Sequence, residues 1–288
     1  MAAAASTSFA TDPGFVRLFL ARRSVLIALI IFLVIAGLCL FAYWVAPANP
    51  AKMSVRARLS PPFGDYILGA DAYGRDILSR LLYAGRTSLM IGFGVATFST
   101  VIGILIGLLA GFYRRLDAPL SRLIDAMMAF PDILLAIALV SILGGSMINV
   151  IIALTIVYVP RFARISRAST LVIRELPFVE AARALGSSTH YVITNHVLRN
   201  IVSPITVQAT FIFAYAMLAE AGLSFLGVGI DPETPTWGTM INEGRQFIDQ
   251  AAFLILFPGI AISVSVLTLQ IIGDGLRDAL DPRLAKDL

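Results

Sequence analysis

The residue patterns that come nearest to catalytic motifs in this sequence are all incomplete. Residues 222–226 (GLSFL) lack the final glycine of a G-x-S-x-G nucleophile motif. Residues 273–274 (GD) match part of an intramembrane aspartyl protease motif, but Ile271 occupies its first glycine position. There is no H-E-x-x-H motif and no G-x-x-x-x-G-K-[ST] phosphate-binding loop, and the only lysines are Lys52 and Lys286. We therefore expect no enzymatic activity, no ATP hydrolysis by this chain itself, and no cofactor or metal bound to it.

Three acidic residues within apolar stretches could contact a polar solute. Asp125 and Asp132 are seven residues apart, so they lie on one face of a helix, where they could line an inner vestibule. Stabilising a helix start or pairing with Arg122 explains them equally well. Glu220 lies about 30 Å along its helix from Asn200, which places it near the external face. There, a structural ion pair or a loop anchor is a simpler explanation than a substrate contact.

The composition places these residues in a membrane protein. Of 288 residues, 58% are hydrophobic and 14% are charged, and residues 24–45 and 88–113 contain no charged side chain. About 20 apolar residues suffice to cross a bilayer. The net charge of +4 comes from arginines placed singly between apolar runs, which favours membrane orientation signals over nucleic-acid binding. Cys39 is the only cysteine, which excludes a disulfide framework and a thiolate metal site.

We predict an all-α fold with six transmembrane helices, over residues 24–45, 88–112, 119–143, 147–165, 201–222 and 251–272. Pro131 should kink the third helix, because proline removes a backbone donor. In the second helix Gly103, Gly107 and Gly111 recur every four residues, which lets another helix approach closely. The predicted layout is a tail (1–23), a first span (24–46), an external loop (47–87), a membrane core (88–273) with a further external loop (224–250), and a second tail (274–288).

The basic residues predict the orientation of these helices. With the N-terminus inside, fifteen Lys and Arg residues lie on the cytoplasmic side and seven outside, most of the seven in the long loop 47–87. Short loops rich in basic residues remain cytoplasmic. We therefore expect both termini in the cytoplasm.

Residues 174–200, between the fourth and fifth spans, have the features of a docking element. Pro177 suits the first position of a helix and Glu180 its positive end, and Gly186 can adopt the left-handed conformation that ends a helix. The predicted helix is 177–185. Ser187 can cap a second helix that runs towards Asn200. Two short helices joined at a glycine could fit a cleft in a partner.

The side chains of this docking segment also suit a protein contact. One apolar stripe is predicted at Phe178, Ala181, Ala182 and Leu185, with the basic side chains of Arg174 and Arg183 beside it. His190 and His196 are six residues apart, which is poor spacing for one metal ion, so we expect surface histidines at a protein contact. The predicted docking residues are Phe178, Glu180, Ala181, Ala182, Arg183, Leu185, Gly186 and His190.

The segment resembles the EAA loop of ATP-binding-cassette (ABC) importer permeases. The resemblance lies in Glu180-Ala181-Ala182, Gly186, His196 and Leu198. Residues 68–76 (LGADAYGRD), 220–227 (EAGLSFLG) and 273–282 (GDGLRDALDP) resemble the C-type permease of the dipeptide and oligopeptide importers. The chain departs from this pattern at Ala70, where threonine is usual, and at Arg199, where proline is usual. Without that proline, the second cytoplasmic helix should run straight into the fifth span.

The resemblance implies a type I importer fold and half of a translocation pathway for di- or oligopeptides in the bacterial plasma membrane. The implied partners are a homologous B-type permease, two ATPase subunits that bind ATP and Mg²⁺, and an external solute-binding protein. Related importers carry nickel or haem. A self-sufficient channel or ion-coupled transporter is the alternative, but it would need ionisable residues deeper in the spans.

The external loops are the implied contact with the binding protein. An exposed Trp237 and rigid prolines would equally suit plain packing over the helix ends. The residues concerned are Asp71, Arg75, Asp76, Pro235 and Trp237.

Overall fold

The computed structural model describes residues 19–20, 22–231 and 233–280, and within these ranges it contains helices and loops but no strand. The predicted all-α fold is confirmed. Most of the two predicted tails, residues 1–18, 21 and 281–288, lies outside the described residues. The helices are α1 (Arg23–Leu40), α2 (Ala42–Val45), α3 (Ile77–Phe112), α4 (Arg114–Met128), α5 (Asp132–Leu143), α6 (Met147–Ile173), α7 (Pro177–Ala184), α8 (Thr189–Tyr191), α9 (Arg199–Phe225), α10 (Trp237–Gly244) and α11 (Phe253–Leu280).

Five helical stretches in the described ranges are long and apolar enough to cross a membrane, and α4 with α5 makes a sixth if that bent pair is one span. Helix α3 begins at Ile77, where Asp76 caps it by accepting a hydrogen bond from the Ser79 amide at 2.7 Å. The predicted loop 47–87 is therefore too long, because its last eleven residues are helical. Helix α6 ends at Ile173, eight residues beyond the predicted end.

The predicted single helix over 119–143 is wrong. Helices α4 and α5 are separated by a break at residues 129–131 and bend by 92° relative to each other. Pro131 has an extended backbone (φ −59°, ψ 128°) and precedes the first residue of α5. Proline cannot donate a backbone hydrogen bond, and it disfavours helical geometry at the residue before it. The chain therefore breaks at Pro131 where only a kink was predicted.

Helix α9 is continuous with the docking segment. Helix α8 leads into a π-helical turn, Val192–Leu198, and this turn leads into α9 at Arg199 without interruption. The expectation that the second cytoplasmic helix runs straight into the fifth span, because Arg199 replaces the usual proline, is confirmed. Ser188, and not the predicted Ser187, caps the start of α8. Its hydroxyl accepts a hydrogen bond from the Tyr191 amide.

Helices α3 and α6 form the most extensive packing in the fold, and the three spaced glycines of α3 make it possible. A Cβ atom added at Gly103, Gly107 or Gly111 would lie 2.3, 2.4 or 2.6 Å from an α6 side-chain atom, that of Phe162, Ser166 or Thr170 respectively. Real Cβ atoms do not approach so closely, so the predicted small-residue seam is confirmed. Helix α9 packs on α3 and α11, and α1 packs on α11.

Candidate functional site

The docking helix α7 forms as its sequence predicts. Pro177 is its first residue, Glu180 lies in its first turn and Arg183 in its last. Gly186 follows with φ +80°, and the Ser187 amide donates to the Ala182 carbonyl at 3.0 Å, which closes the helix end. The positive φ predicted for Gly186 is confirmed.

Helix α7 and the residue after it carry apolar side chains that are exposed in the described chain. Phe178 is 42% exposed and Leu185 is 86% exposed, and Ala181 lies on the exposed surface with them. Val179 is fully buried and Ala182 is half-buried, so these two residues hold α7 against the body of the protein. Of the predicted apolar stripe, Ala182 alone faces inward.

The charged residues of the docking segment also lie mainly at the surface. Glu180, Arg183 and His190 are exposed, and the His196 ring contacts Phe178 and Tyr191 at centroid distances of 5.8 and 5.7 Å. The docking surface is therefore an apolar patch with both charge signs around it.

Arginines connect the docking segment to the end of α3. The Arg174 guanidinium donates to the Gly111 carbonyl at 2.6 Å, and the Arg183 guanidinium carbon lies 4.9 Å from the Phe112 ring centroid. Together with Arg114 and Arg115 they line a basic cleft of about 690 Å³. Arg183 on α7 and Arg174 at the end of α6 therefore both contact the end of α3.

At the opposite end of α3, four charged side chains form a network. Arg80 donates to Asp71 at 2.6 Å and to the two Glu243 oxygens at 3.0 and 3.1 Å, and Arg75 contacts the same two carboxylates at 2.6 and 2.8 Å. Burial raises the pKa of Asp71 and of Glu243, while the Arg80 charge opposes each increase. The sequence reasoning missed Arg80 and Glu243, because 163 residues separate them.

The residues predicted for the binding-protein contact lie mostly inside this end of the protein. Asp71 and Asp76 are buried, the Arg75 side chain is 13% exposed, and Pro235 is half-buried. Trp237 is 1% exposed, so the expectation of an exposed tryptophan is wrong. These positions fit the alternative interpretation, in which the residues pack over the ends of the helices.

Glu220 anchors the loop that contains Trp237. Its carboxylate accepts hydrogen bonds from Ser88 at 3.2 Å and Ser224 at 2.8 Å, and the Trp237 amide donates to the Ser88 hydroxyl at 3.2 Å. The indole nitrogen of Trp237 donates to the Leu81 carbonyl. Glu220 has no ion-pair partner among the described residues, and its position fits the predicted loop anchor.

Asp125 and Asp132 pair with α6 and not with Arg122. Asp132 accepts from Arg161, and Asp125 accepts from Arg164 at 2.8 Å. A third pair joins Asp117 to Arg167 at 2.5 Å. Arg161, Arg164 and Arg167 recur every three residues on α6, so they share one face of that helix. This spacing is the sequence signal that could have predicted their pairing with Asp132, Asp125 and Asp117.

The fold and these surfaces define an all-helical transmembrane subunit with an uncovered helix suited to docking a partner. Residues 99–286 match the family described as the binding-protein-dependent transport system inner membrane component, and residues 14–62 match the N-terminal transmembrane domain of oligopeptide transport permease C. The chain belongs to this family of inner-membrane permeases.

Several curated relatives align over nearly the whole chain. A putative peptide transport system permease protein of Brucella suis is 48% identical, with 93% of this chain and 90% of that protein covered. The di/tripeptide transport system permease DppC of Pseudomonas aeruginosa is 42% identical (92% and 90% covered), and the glutathione transport system permease GsiD of Pectobacterium atrosepticum is 39% identical (94% and 90% covered).

Among solved structures, an inward-facing MetNI methionine ABC transporter matches with a TM-score of 0.59 and 20% identity, covering 71% of this chain and 98% of that one. This match confirms the predicted importer-permease fold. The comparisons support an importer permease and not the alternative of a channel or ion-coupled transporter.

Proposed function

We propose that this chain forms half of the translocation pathway of an ATP-driven importer for di- or oligopeptides. A homologous B-type permease supplies the other half. Two ATPase subunits, which bind ATP and Mg²⁺, dock from the cytoplasm, and a solute-binding protein delivers peptide from outside. The peptide substrate is inferred from the relatives, two of which are named for peptide transport.

The observation that carries this proposal is the uncovered apolar surface of α7. Exposed apolar side chains next to charged ones are typical of a protein interface. The contact of Arg183 with Phe112, and that of Arg174 at the end of α6 with Gly111, support a role of α7 as a lever that acts on α3. Closure of the ATPase pair would move α7 as a rigid unit and switch the pathway between inward-open and outward-open states.

The same lever explains why the chain needs no nucleotide site of its own. Energy enters through the ATPase subunits, and α7 transmits it to the membrane helices. The binding protein would approach the opposite end of α3, where the exposed side chain of Tyr73 lies next to the charged network.

Affinity purification in mild detergent, followed by reconstitution of the co-purifying subunits in liposomes, tests this function. We expect ATP-dependent uptake of a labelled dipeptide by the full complex. The purified chain alone should hydrolyse no ATP above background. ATP turnover by the chain after removal of contaminating ATPases, or dipeptide uptake without ATPase subunits, would contradict the proposal.

A further inference from the structure

A small cavity of about 260 Å³ lies between α5, α6 and α9, away from both the docking surface and the charged network. Its lining is apolar except for Asp132, Tyr158 and Tyr215, and Arg161 adjoins it. The Arg161 guanidinium carbon lies 5.4 Å from the Tyr158 ring centroid and 5.7 Å from that of Tyr215. Residues from three helices thus converge on one polar cluster.

The depth of this cluster follows from helix lengths. Asp132 begins α5, and the distance to the far end of that helix at Leu143 is about 18 Å at 1.5 Å per residue. Tyr215 lies about 15 Å from the end of α9 at Phe225 by the same measure. The hydrocarbon core is about 30 Å thick, so the cluster lies near the bilayer midplane. Asp132 and Arg161 are therefore deeper in the membrane than the sequence led us to expect of ionisable residues.

At this depth the cluster cannot face lipid. The Asp132 and Arg161 side chains are 40% and 33% exposed, and Tyr215 is 43% exposed. The chain also breaks its helical hydrogen bonding next to Asp132, between α4 and α5. Exposed charges and broken backbone at mid-membrane occur where they line water or protein.

The cluster also has unused hydrogen-bonding capacity. Within the described ranges the hydroxyl groups of Tyr158 and Tyr215 make no hydrogen bond, and neither oxygen is among the buried polar atoms that lack a partner. Arg161 uses one nitrogen for Asp132, and its remaining donors have no acceptor among the described side chains or backbone. The side chains of Asp132, Arg161 and Tyr215 are partly exposed, so these groups are free to bind a polar ligand that enters the cavity.

We propose that Asp132, Tyr158, Arg161 and Tyr215 line the translocation pathway midway across the bilayer and contact the charged ends of a peptide in transit. This inference rests on the proposed function. Arg161 is suited to the peptide carboxylate, because its planar guanidinium presents several donors. Asp132 and the two tyrosine rings are suited to the α-ammonium group. The tyrosine hydroxyls are available to the peptide backbone.

Cysteine accessibility in the reconstituted complex tests the position of the cluster. In a Cys39→Ser background, Tyr215→Cys should react with a small cationic methanethiosulfonate, and excess dipeptide should slow that reaction. Leu33→Cys, exposed on α1 at a similar depth, should stay unreactive because it faces lipid. Equal lack of reaction at both positions would overturn the proposal.

Removal of the hydroxyls tests the substrate contact. Since neither hydroxyl has a hydrogen-bond partner among the described residues, the Tyr158→Phe/Tyr215→Phe double variant should assemble and melt like wild type. Its dipeptide uptake should fall several-fold, and Asp132→Asn should lower uptake by about tenfold. Wild-type uptake by the double variant would show that the cluster is structural only. Absence of dipeptide uptake by the unmodified complex would instead refute the proposed function, and thiol accessibility would still report the pathway.

Discussion

Arg80 is the residue on which the charged network at the start of α3 depends. Its side chain is 4% exposed and contacts both Asp71 and Glu243, which approach it from different parts of the chain. Two carboxylates share this guanidinium, so its removal would leave Arg75 as their only cationic partner in the described chain. The network therefore fixes α10 to α3.

We expect Arg80→Met to lower the free energy of unfolding by about 1–3 kcal/mol, because Asp71 and Glu243 lose one of their two arginine partners and keep only Arg75. Unfolding in mixed micelles measures this change. Arg58→Met is the matched control, since Arg58 lines a cavity of about 400 Å³ together with Asp71, Arg80 and Glu243, but is exposed and has no ion-pair partner among the described residues. Equal stability of the two variants would contradict the role given to Arg80.

The carboxyl of Asp71 should give stability a particular pH dependence. Burial raises its pKa above the ordinary value of 3.8, so the folded chain binds this proton more tightly than the unfolded chain does. The stabilisation from this proton is complete below pH 3.8. It is lost as the pH rises through the pKa that Asp71 has in the folded chain. The stability of wild type relative to Asp71→Asn should therefore decrease as pH rises. Measurement of unfolding across a pH series gives this difference in stability. An increase of the difference with rising pH would show that folding lowers the pKa of Asp71.

At the scale of helices, the α3–α6 seam depends on the absence of side chains. Gly107→Ala would place a Cβ atom 2.6 Å from the Ala163 carbonyl oxygen, an atom of the backbone that cannot rotate away. We expect a loss of about 1–3 kcal/mol from overpacking. Gly37→Ala in α1 has open space around it and should be neutral or slightly stabilising. Thermal unfolding of the Gly107→Ala and Gly37→Ala variants measures the difference. An unchanged stability of Gly107→Ala would show that α3 and α6 are not closely packed at this position.

The turn after α7 requires glycine because of its backbone conformation, and not because a side chain would collide with its surroundings. Gly186 has φ +80°, and a Cβ atom added there would meet no other atom within 4 Å, so a side chain fits but the backbone becomes strained. Gly186→Val should reduce ATPase co-purification and uptake strongly, while Gly186→Asn should retain most of both, because asparagine tolerates this φ. Glu180→Lys should weaken docking by placing positive charge in the first turn of α7. Wild-type behaviour of Gly186→Val and Glu180→Lys would contradict the lever.

For the whole molecule, the distribution of basic residues predicts which end faces the cytoplasm. In a Cys39→Ser background, Leu185→Cys should react with impermeant maleimide only from the cytoplasmic side, and Glu233→Cys only from outside. Both side chains are exposed, so access of the reagent depends only on the side of the membrane from which it is added. The reverse labelling pattern would overturn the orientation and the docking role with it.

The sequence by itself determined the features that depend on neighbouring residues. Long apolar runs predict spans because burial in lipid depends on composition, and Pro177, Glu180 and Gly186 predict α7 because capping and backbone preferences act within one turn. The glycine repeat of α3 predicted a close seam, although its partner α6 was not identifiable from spacing alone.

Only the tertiary structure decided which distant residues meet. The 92° break at Pro131, the burial of Trp237, and the pairing of Asp132 with Arg161 all depend on how helices pack in three dimensions. Arginines that the sequence marks as orientation signals thereby gain carboxylate partners on α4 and α5. A charge pattern along the chain carries no information about partners on another helix, because the distance between them is set by packing and not by sequence separation.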